Sequence, residues 1–255
     1  MAHGSIKAVF TAVFLAAIFL FSPSPSSAGG SVNVAGAADL AFAFREIAGG
    51  FEKETGVKVV LTLGSTGMLT RQIMAGAPFD AFFAANSSYI DELDGGGFVI
   101  AETIELYAYG RIVLAVNESS GVVATALDEL TSPRIKWVAI ANPAHAPYGV
   151  AAMEALKSAG LWDEIKPKLV YGENVRQALQ FIQTGNAQAG IVALSIADVP
   201  EVSFTLVGQK LHNPIRQAAA VVKGAKNESA ARAFIRYVNG PKGRPVMEKY
   251  GFTAP

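Results

Sequence analysis

Four short stretches place small or hydroxylated residues where an apolar run hands over to a helix-like segment. They are AGAAD around Ala38 and Asp39, LGSTG around Ser65 and Thr66, HAPYG around Tyr148, and GENV ending at Val175. A helix start leaves about four backbone N–H groups without partners and concentrates roughly half a positive charge there. Small residues at the entry let an oxyanion approach those groups closely. Helix starts at Asp39, Thr66, Tyr148 and Val175, brought together by two lobes closing face to face, would form a neutral, donor-rich site for a compact anion. Singly, each stretch is weak and reads more readily as a well-capped connection, with Asp39, Thr66 and Asn174 all of N-cap type; their combination in one α/β chain is what points to a ligand.

The elements that must position these residues follow an α/β rhythm. Strand-like VNVAGA, VKVVLTL and FDAFFAA alternate with two helices. The first runs from Asp39 with Leu40, Phe44, Ile47 and Phe51 on one face and Gly49, Gly50 and Gly56 near its end. The second runs from Thr66, carries Leu69 and Ile73, and stops at Gly76 before Pro78. The middle of the chain repeats the plan in other letters: IKWVAIAN is a strand, PAHAPYG a turn-rich loop, and VAAMEALKSAG a helix ending near Gly160. KLVYGEN then leads through the cap Asn174 into a helix with Val175, Leu179 and Ile182 facing inward, and AQAGIVAL is a further strand. In such sheets ligands sit at the carboxyl ends of strands, where helices begin. Two lobes of similar build are expected, with a boundary near Tyr109 and Gly110.

Composition narrows the class of ligand. The chain has 255 residues, 51% of them hydrophobic, which is enough for two ordinary cores. Its first 28 residues read as a secretory signal: Lys7, the apolar Val9–Phe21 stretch, then SPSPSSA with cleavage expected after Ala28. That apolar stretch falls short of the roughly 20 residues that span a bilayer. Loss of Lys7 from 21 basic residues leaves 20 against 21 acidic, a formal charge of −1. No basic field argues for nucleic acid or anionic lipid. With no cysteine there is neither a disulfide nor a lipid-bearing N-terminal Cys, so a freely diffusing periplasmic protein is expected.

Catalytic residues are scarce. Beyond the leader the histidines are His145 and His212, each in a proline-flanked loop and read as structural or exposed. There is no G-x-S-x-G elbow, H-E-x-x-H pair or S-x-x-K, and no thiol nucleophile. A secreted hydrolase is therefore the weaker reading.

VAGAADLAFAFREIAGGFEKETGVKV, LGSTGMLTRQIMAGAPFDAFFAA, IANPAHAPYGVAAMEALKSAGLW, LVYGENVRQALQFIQTGNAQAGIVALS and the final EKYGF resemble, in order, the periplasmic molybdate-binding proteins of ABC importers. NPxHAPYG and GENVxQ are the family-specific parts. The resemblance implies a two-lobed type II periplasmic binding protein fold, with mixed, mainly parallel sheets flanked by helices and a ligand cleft between the lobes. It returns the tail to the first lobe, giving residues 29–109 plus 216–255 for lobe I and 110–215 for lobe II. It implies capture of molybdate, with tungstate, by backbone N–H groups and neutral side chains. No cofactor or direct side-chain coordination of the metal is implied. Carried over by position, the contacts are Ala38, Asp39, Ser65, Thr66, Tyr148 and Val175. The implied partner is an inner-membrane ABC permease, and the protein is expected to be a monomer.

Two departures stand out. Some relatives carry a tyrosine in the strand after the GENV helix, where this chain has Ala193; Tyr148 is the candidate replacement. Others have serine or asparagine in place of Asp39, whose ionised carboxylate would be repelled by a dianion about 4 Å away by several kcal/mol at an effective dielectric near 20. Two readings of Asp39 follow: its side chain folds back to cap its own helix while the amides at 38 and 39 face the ligand, or it is a cap with no ligand contact. The rival ligand is phosphate, whose proton a carboxylate could accept, whereas molybdate has only acceptors; sulfate is another tetrahedral alternative. A ferric site would want tyrosines together, and no adjacent pair occurs. A carboxylate receptor would want an arginine clamp. Arg71 and Arg176 are placed to serve, but are read as solvated helix residues.

Overall fold

The structure is a computed structural model and describes residues 1–2 and 30–255. The leader segment Val9–Phe21 and the cleavage position after Ala28 lie outside the described residues.

Strands β1 (Ser31–Ala37), β2 (Lys58–Gly64), β3 (Ala81–Ala84), β4 (Glu105–Gly110) and β10 (Ile215–Val221) form one sheet in the order β2-β1-β3-β10-β4. Helices α1 (Ala41–Thr55), α2 (Thr66–Met74), α3 (Ser87–Gly95), α8 (Glu228–Asn239) and α9 (Gly243–Lys249) accompany it. Strands β5 (Ile112–Asn117), β6 (Val138–Ala141), β7 (Leu169–Gly172), β8 (Ala189–Ala193) and β9 (Val202–Leu206) form a second sheet in the order β7-β6-β8-β5-β9. Its helices are α4 (Pro147–Ser158), α5 (Trp162–Ile165), α6 (Val175–Gln183) and α7 (Leu194–Ala197).

The two sheets share a plan. Three parallel strands (β2-β1-β3 and β7-β6-β8) are followed by one reversed strand (β10 and β5) and then by a strand that pairs antiparallel with it and so runs with the triplet (β4 and β9), which makes each sheet mixed. The parallel triplets are built from β-α-β connections, which are right-handed in almost all such sheets. The chain passes from one sheet to the other at Arg111, between β4 and β5, and returns through residues 207–214 between β9 and β10.

Apolar periodicity fixes the helix faces. Leu40, Phe44, Ile47 and Phe51 are all buried, as are Leu69 with Ile73, and Val175 with Leu179 and Ile182. On the first sheet the aromatics meet edge to face: Phe44 and Phe83 at 4.8 Å, Phe51 and Phe234 at 5.2 Å, Phe83 and Tyr107 at 5.3 Å. That geometry suits the ring quadrupoles and locks α1 and α8 onto β3 and β4. In the second half small residues do the same work, with Ala151, Ala152, Ala155 and Ala178 buried between helices and sheet.

Three local expectations are corrected. Residues Ala38–Leu40 form a 3-10 turn ahead of α1, so Asp39 is not an N-cap; no side-chain cap bond forms at either start. Thr66 is the first residue of α2, and Ser65 occupies the cap position. The HAPYG loop is already helical from Pro147, whose fixed φ and missing N–H suit the first turn. Helix α1 also runs straight through Gly49 and Gly50 to Thr55. Asn174 is the cap expected, accepting from the N–H groups of Arg176 and Gln177 at 3.0 and 3.1 Å.

Candidate functional site

The carboxyl ends of β1, β2, β6 and β7 face one another across the two sheets, and a small, nearly closed cavity of about 10 Å³ lies between them. It is lined by Ala37, Ala38 and Asp39 after β1, Gly64, Ser65 and Thr66 after β2, and Ala85 after β3. From the other sheet come Ala146, Pro147 and Tyr148 at the start of α4 and Asn174 with Val175 at the start of α6. All six residues singled out in the sequence are thus brought together. Among the described residues no lysine or arginine lines the cavity.

The donors are main-chain and hydroxyl groups. The N–H groups of Thr66, Tyr148 and Val175 sit at first or second helical positions, where no intrahelical acceptor exists. Thr66 Oγ1 accepts from the Ala85 N–H at 3.1 Å, which leaves its own proton to be donated. Ser65 Oγ lies 2.9 Å from His145 Nδ1; with the proton on Nδ1, the serine keeps its own for a ligand.

Asp39 is fully buried in this wall. Its Oδ2 accepts from Tyr148 Oη at 2.9 Å and from Gln217 Nε2 at 2.8 Å, while Oδ1 has no partner among the described residues. Gln217 also donates to Tyr148 Oη at 2.9 Å and accepts from Tyr107 Oη at 2.6 Å, so the network reaches back through β10 to β4. Ser195, opening α7, donates to the Asp39 carbonyl at 2.8 Å. Burial pushes the Asp39 carboxyl up to about 6, with the Gln217 and Tyr148 donors opposing the rise. Burial, with the Asp39 charge adding to it, also holds the Tyr148 and Tyr107 phenols well above their ordinary range.

Several of these bonds join the two halves. Gly67 N–H donates to His145 O at 2.9 Å, alongside the Ser65–His145 and Tyr148–Asp39 pairs. The contact depends on glycine: a Cβ at position 67 would stand 2.9 Å from His145 O and 3.1 Å from His145 Cβ. Gly110 is likewise required, because a Cβ there would run into Tyr148 Oη.

A cleft between two similarly built halves, lined by helix starts, is what solute receptors present, and the model of the bacterial extracellular solute-binding proteins matches residues 32–253. The chain belongs to that family. Among relatives of this solute-binding protein, the molybdate-binding protein ModA of Azotobacter vinelandii is 39% identical over 225 residues, spanning 87% of this chain and 89% of that one. ModA of Rhodobacter capsulatus is 34% identical over 234 residues, 89% of this chain and 90% of its own. Among solved structures, the Azotobacter vinelandii periplasmic molybdate-binding protein superposes with a TM-score of 0.82 at 31% identity, covering 88% of this chain and 99% of that chain. The resemblance read from the motifs is borne out, and so is the fold it implied.

The geometry reassigns two side chains of this solute-binding protein. The Tyr148 hydroxyl spends its single proton on Asp39, which leaves none to stand in for the tyrosine missing at Ala193. Asp39 turns its carboxylate toward Tyr148 and Gln217, neither capping its helix nor lying apart from the cavity. Neither Ala193, which ends β8, nor Ser195 two residues on lines the cavity; Ser195 supports the wall by donating to the Asp39 carbonyl. Arg71 is exposed, and Arg176 lines a neighbouring groove with Arg45, Glu173 and Gln177 that meets the cavity at Ala38 and Asn174. His145, read as structural or exposed, is half-buried and hydrogen-bonded to Ser65. Gln217 was legible in hindsight: it is the one amide in the apolar run QAAAV, and a polar group so placed needs partners.

Proposed function

We propose that this protein captures molybdate, and equally tungstate, in the cavity between its lobes and delivers it to an ABC importer. The observation that carries the reading is that helix starts from both sheets converge on one small cavity whose lining holds no lysine or arginine. A tetrahedral dianion has only acceptor oxygens, and fixed N–H and O–H donors can replace its hydration shell without a countercharge. The contacts assigned are the amides of Ala38, Asp39, Tyr148 and Val175 and the hydroxyl and amide groups of Ser65 and Thr66. No cofactor is needed beyond the anion itself.

The lobes of this reading are residues 29–109 with 216–255, and 110–215. Capture is by closure: an open cleft admits the hydrated anion, and only the closed form engages donors from both lobes. A membrane permease then reads the closed shape. Cleavage after Ala28 would release a monomeric periplasmic protein. Sulfate, a smaller tetrahedron, fails to reach all donors together.

Titration calorimetry with molybdate, tungstate, sulfate and phosphate tests this, with tight binding of the first two only. Phosphate binding without molybdate heat overturns it. Arg71→Ala leaves molybdate affinity within about twofold of the parent, since the exposed guanidinium is screened by solvent; a hundredfold loss would mean that a cation, not dipoles, holds the ligand.

A second reading, a hydrolase, is favoured by the Ser65–His145 pair. Against it, no carboxylate among the described residues hydrogen-bonds His145 to orient it as a base. Turnover of an activated ester that Ser65→Ala abolishes would establish that activity.

A further inference from the structure

Asp39 is the one group in the cavity wall whose ionised form opposes an anion, and its geometry says how that opposition is removed. We propose that Asp39 holds the oxyanion as a neutral carboxylic acid, its Oδ1–H donating to a ligand oxygen, so that capture of each dianion takes up one proton from solvent. This rests on the oxyanion reading above and adds a donor and a proton to it.

Three observations carry the inference. Asp39 is fully buried, yet Oδ1 lacks a partner in a residue that lines the cavity. The two donors that reach the carboxyl, Tyr148 Oη and Gln217 Nε2, both converge on Oδ2, so an added proton belongs on Oδ1. An ionised carboxylate only accepts, and so does molybdate; the neutral acid turns the mismatched pair into a matched one. Burial has already raised the carboxyl to about 6, so at neutral pH protonation costs roughly a factor of ten, and a nearby dianion favours it further.

The groups facing Asp39 are few. Tyr148 comes from α4, Gln217 from β10 with Tyr107 of β4 behind it, and Ser195 from α7 holds the main-chain carbonyl. Val175 of α6 and Ala85 after β3 are apolar lining. His145 stands behind Ser65, while Arg45, Glu173 and Arg176 lie in the adjoining groove.

Calorimetry of the purified protein with sodium molybdate, run at about pH 8 in buffers of differing ionisation enthalpy, should show uptake of close to one proton per anion. Between about pH 7 and 8.5 the Kd should rise about tenfold per pH unit. Asp39→Asn places an N–H donor at the same position; its Kd should be flat with pH and its proton uptake nil. Difference infrared spectra should show a protonated-carboxyl C=O band on molybdate addition that is missing from Asp39→Asn. Molybdate binding that takes up no proton and ignores pH overturns this inference alone, as does uptake that persists in Asp39→Asn, which would place the proton on another group. Absence of any molybdate binding removes the proposed function and this inference together.

Discussion

Asp39 is a carboxyl held where its charged form is poorly solvated, and the same physics that suits it to an anion strains the free protein. Its folded-state value is raised from 3.8 to about 6. Below the lower value both folded and unfolded chains are protonated there and nothing is lost. As pH climbs from 3.8 to about 6 the unfolded chain ionises first, so stability falls, by as much as about 3 kcal/mol in all. Thermal melts should therefore find Asp39→Asn several degrees more stable than the parent at pH 8, with the gap closing near pH 4. A parent that is the more stable of the two at pH 8 would show that the Asp39 charge is well solvated. Gly67 makes the other residue-level prediction. Overpacking of about 1–3 kcal/mol at the Gly67–His145 contact should weaken anion affinity about 5- to 150-fold in Gly67→Ala, with the far-ultraviolet dichroism unchanged. Unaltered affinity would mean that this contact plays no part in capture. Both residues show what one-dimensional reading misses. Asp39 and Gly67 were visible as an N-cap type and a turn residue, but their partners, Gln217 and His145, are 178 and 78 positions away and no local pattern pairs them.

At the scale of elements the sequence was most legible where side-chain period and capping agree. Helix α6 is the clearest case: Asn174 caps it, and Val175, Leu179 and Ile182 make its buried stripe. Asn174→Ala should cost about 1 kcal/mol of stability by leaving the Arg176 and Gln177 amides unsatisfied. Denaturant melts measure that, and a calorimetric loss of affinity should accompany it, because Val175 N–H loses its fixed aim. Stability unchanged in Asn174→Ala would mean that solvent replaces the cap without cost. Legibility failed at the α1 entry. A 3-10 turn at Ala38–Leu40 rotates Asp39 out of the cap position and into the wall, and nothing in AGAADL separates a 3-10 turn from the first turn of an α-helix. At α4 the proline of HAPYG reads as a loop residue, although the first helical turn accommodates proline better than any other helical position. Parallel β-α-β order was plain in the alternation of patterns, whereas the antiparallel insertion of β10 between β3 and β4 joins segments more than a hundred residues apart.

For the molecule as a whole, the bonds between halves and the shared cavity are one arrangement. A ligand held by donors from both sheets binds only when they are together, so binding stabilises the folded and closed form at once. Molybdate at about a hundred times its Kd should raise unfolding free energy by about 2.7 kcal/mol, read as a higher melting temperature. Small-angle scattering should report a smaller radius of gyration with the anion than without. A melting temperature indifferent to molybdate would sink the capture reading at this scale.

One feature of the connections decides how such a molecule can gape. Arg111 alone separates β4 from β5, and the longer return passage is itself held to the second half, Val207 N–H donating to Ile112 O at 3.1 Å and Asn213 donating to the Glu154 carboxylate at 2.9 and 3.0 Å. A single residue spans no more than about 3.6 Å, so the sheets are pinned at Arg111, and with Asn213 tied to Glu154 little more than Pro214 remains between the second half and β10 on the return. The opening stroke then resembles a door hung on two pins: displacement grows with distance from the line through Arg111 and Pro214 and vanishes along it. Two glycines inserted after Arg111 would loosen the first pin, letting the halves slide as well as swing, and the jaws would meet out of register however well each half folded.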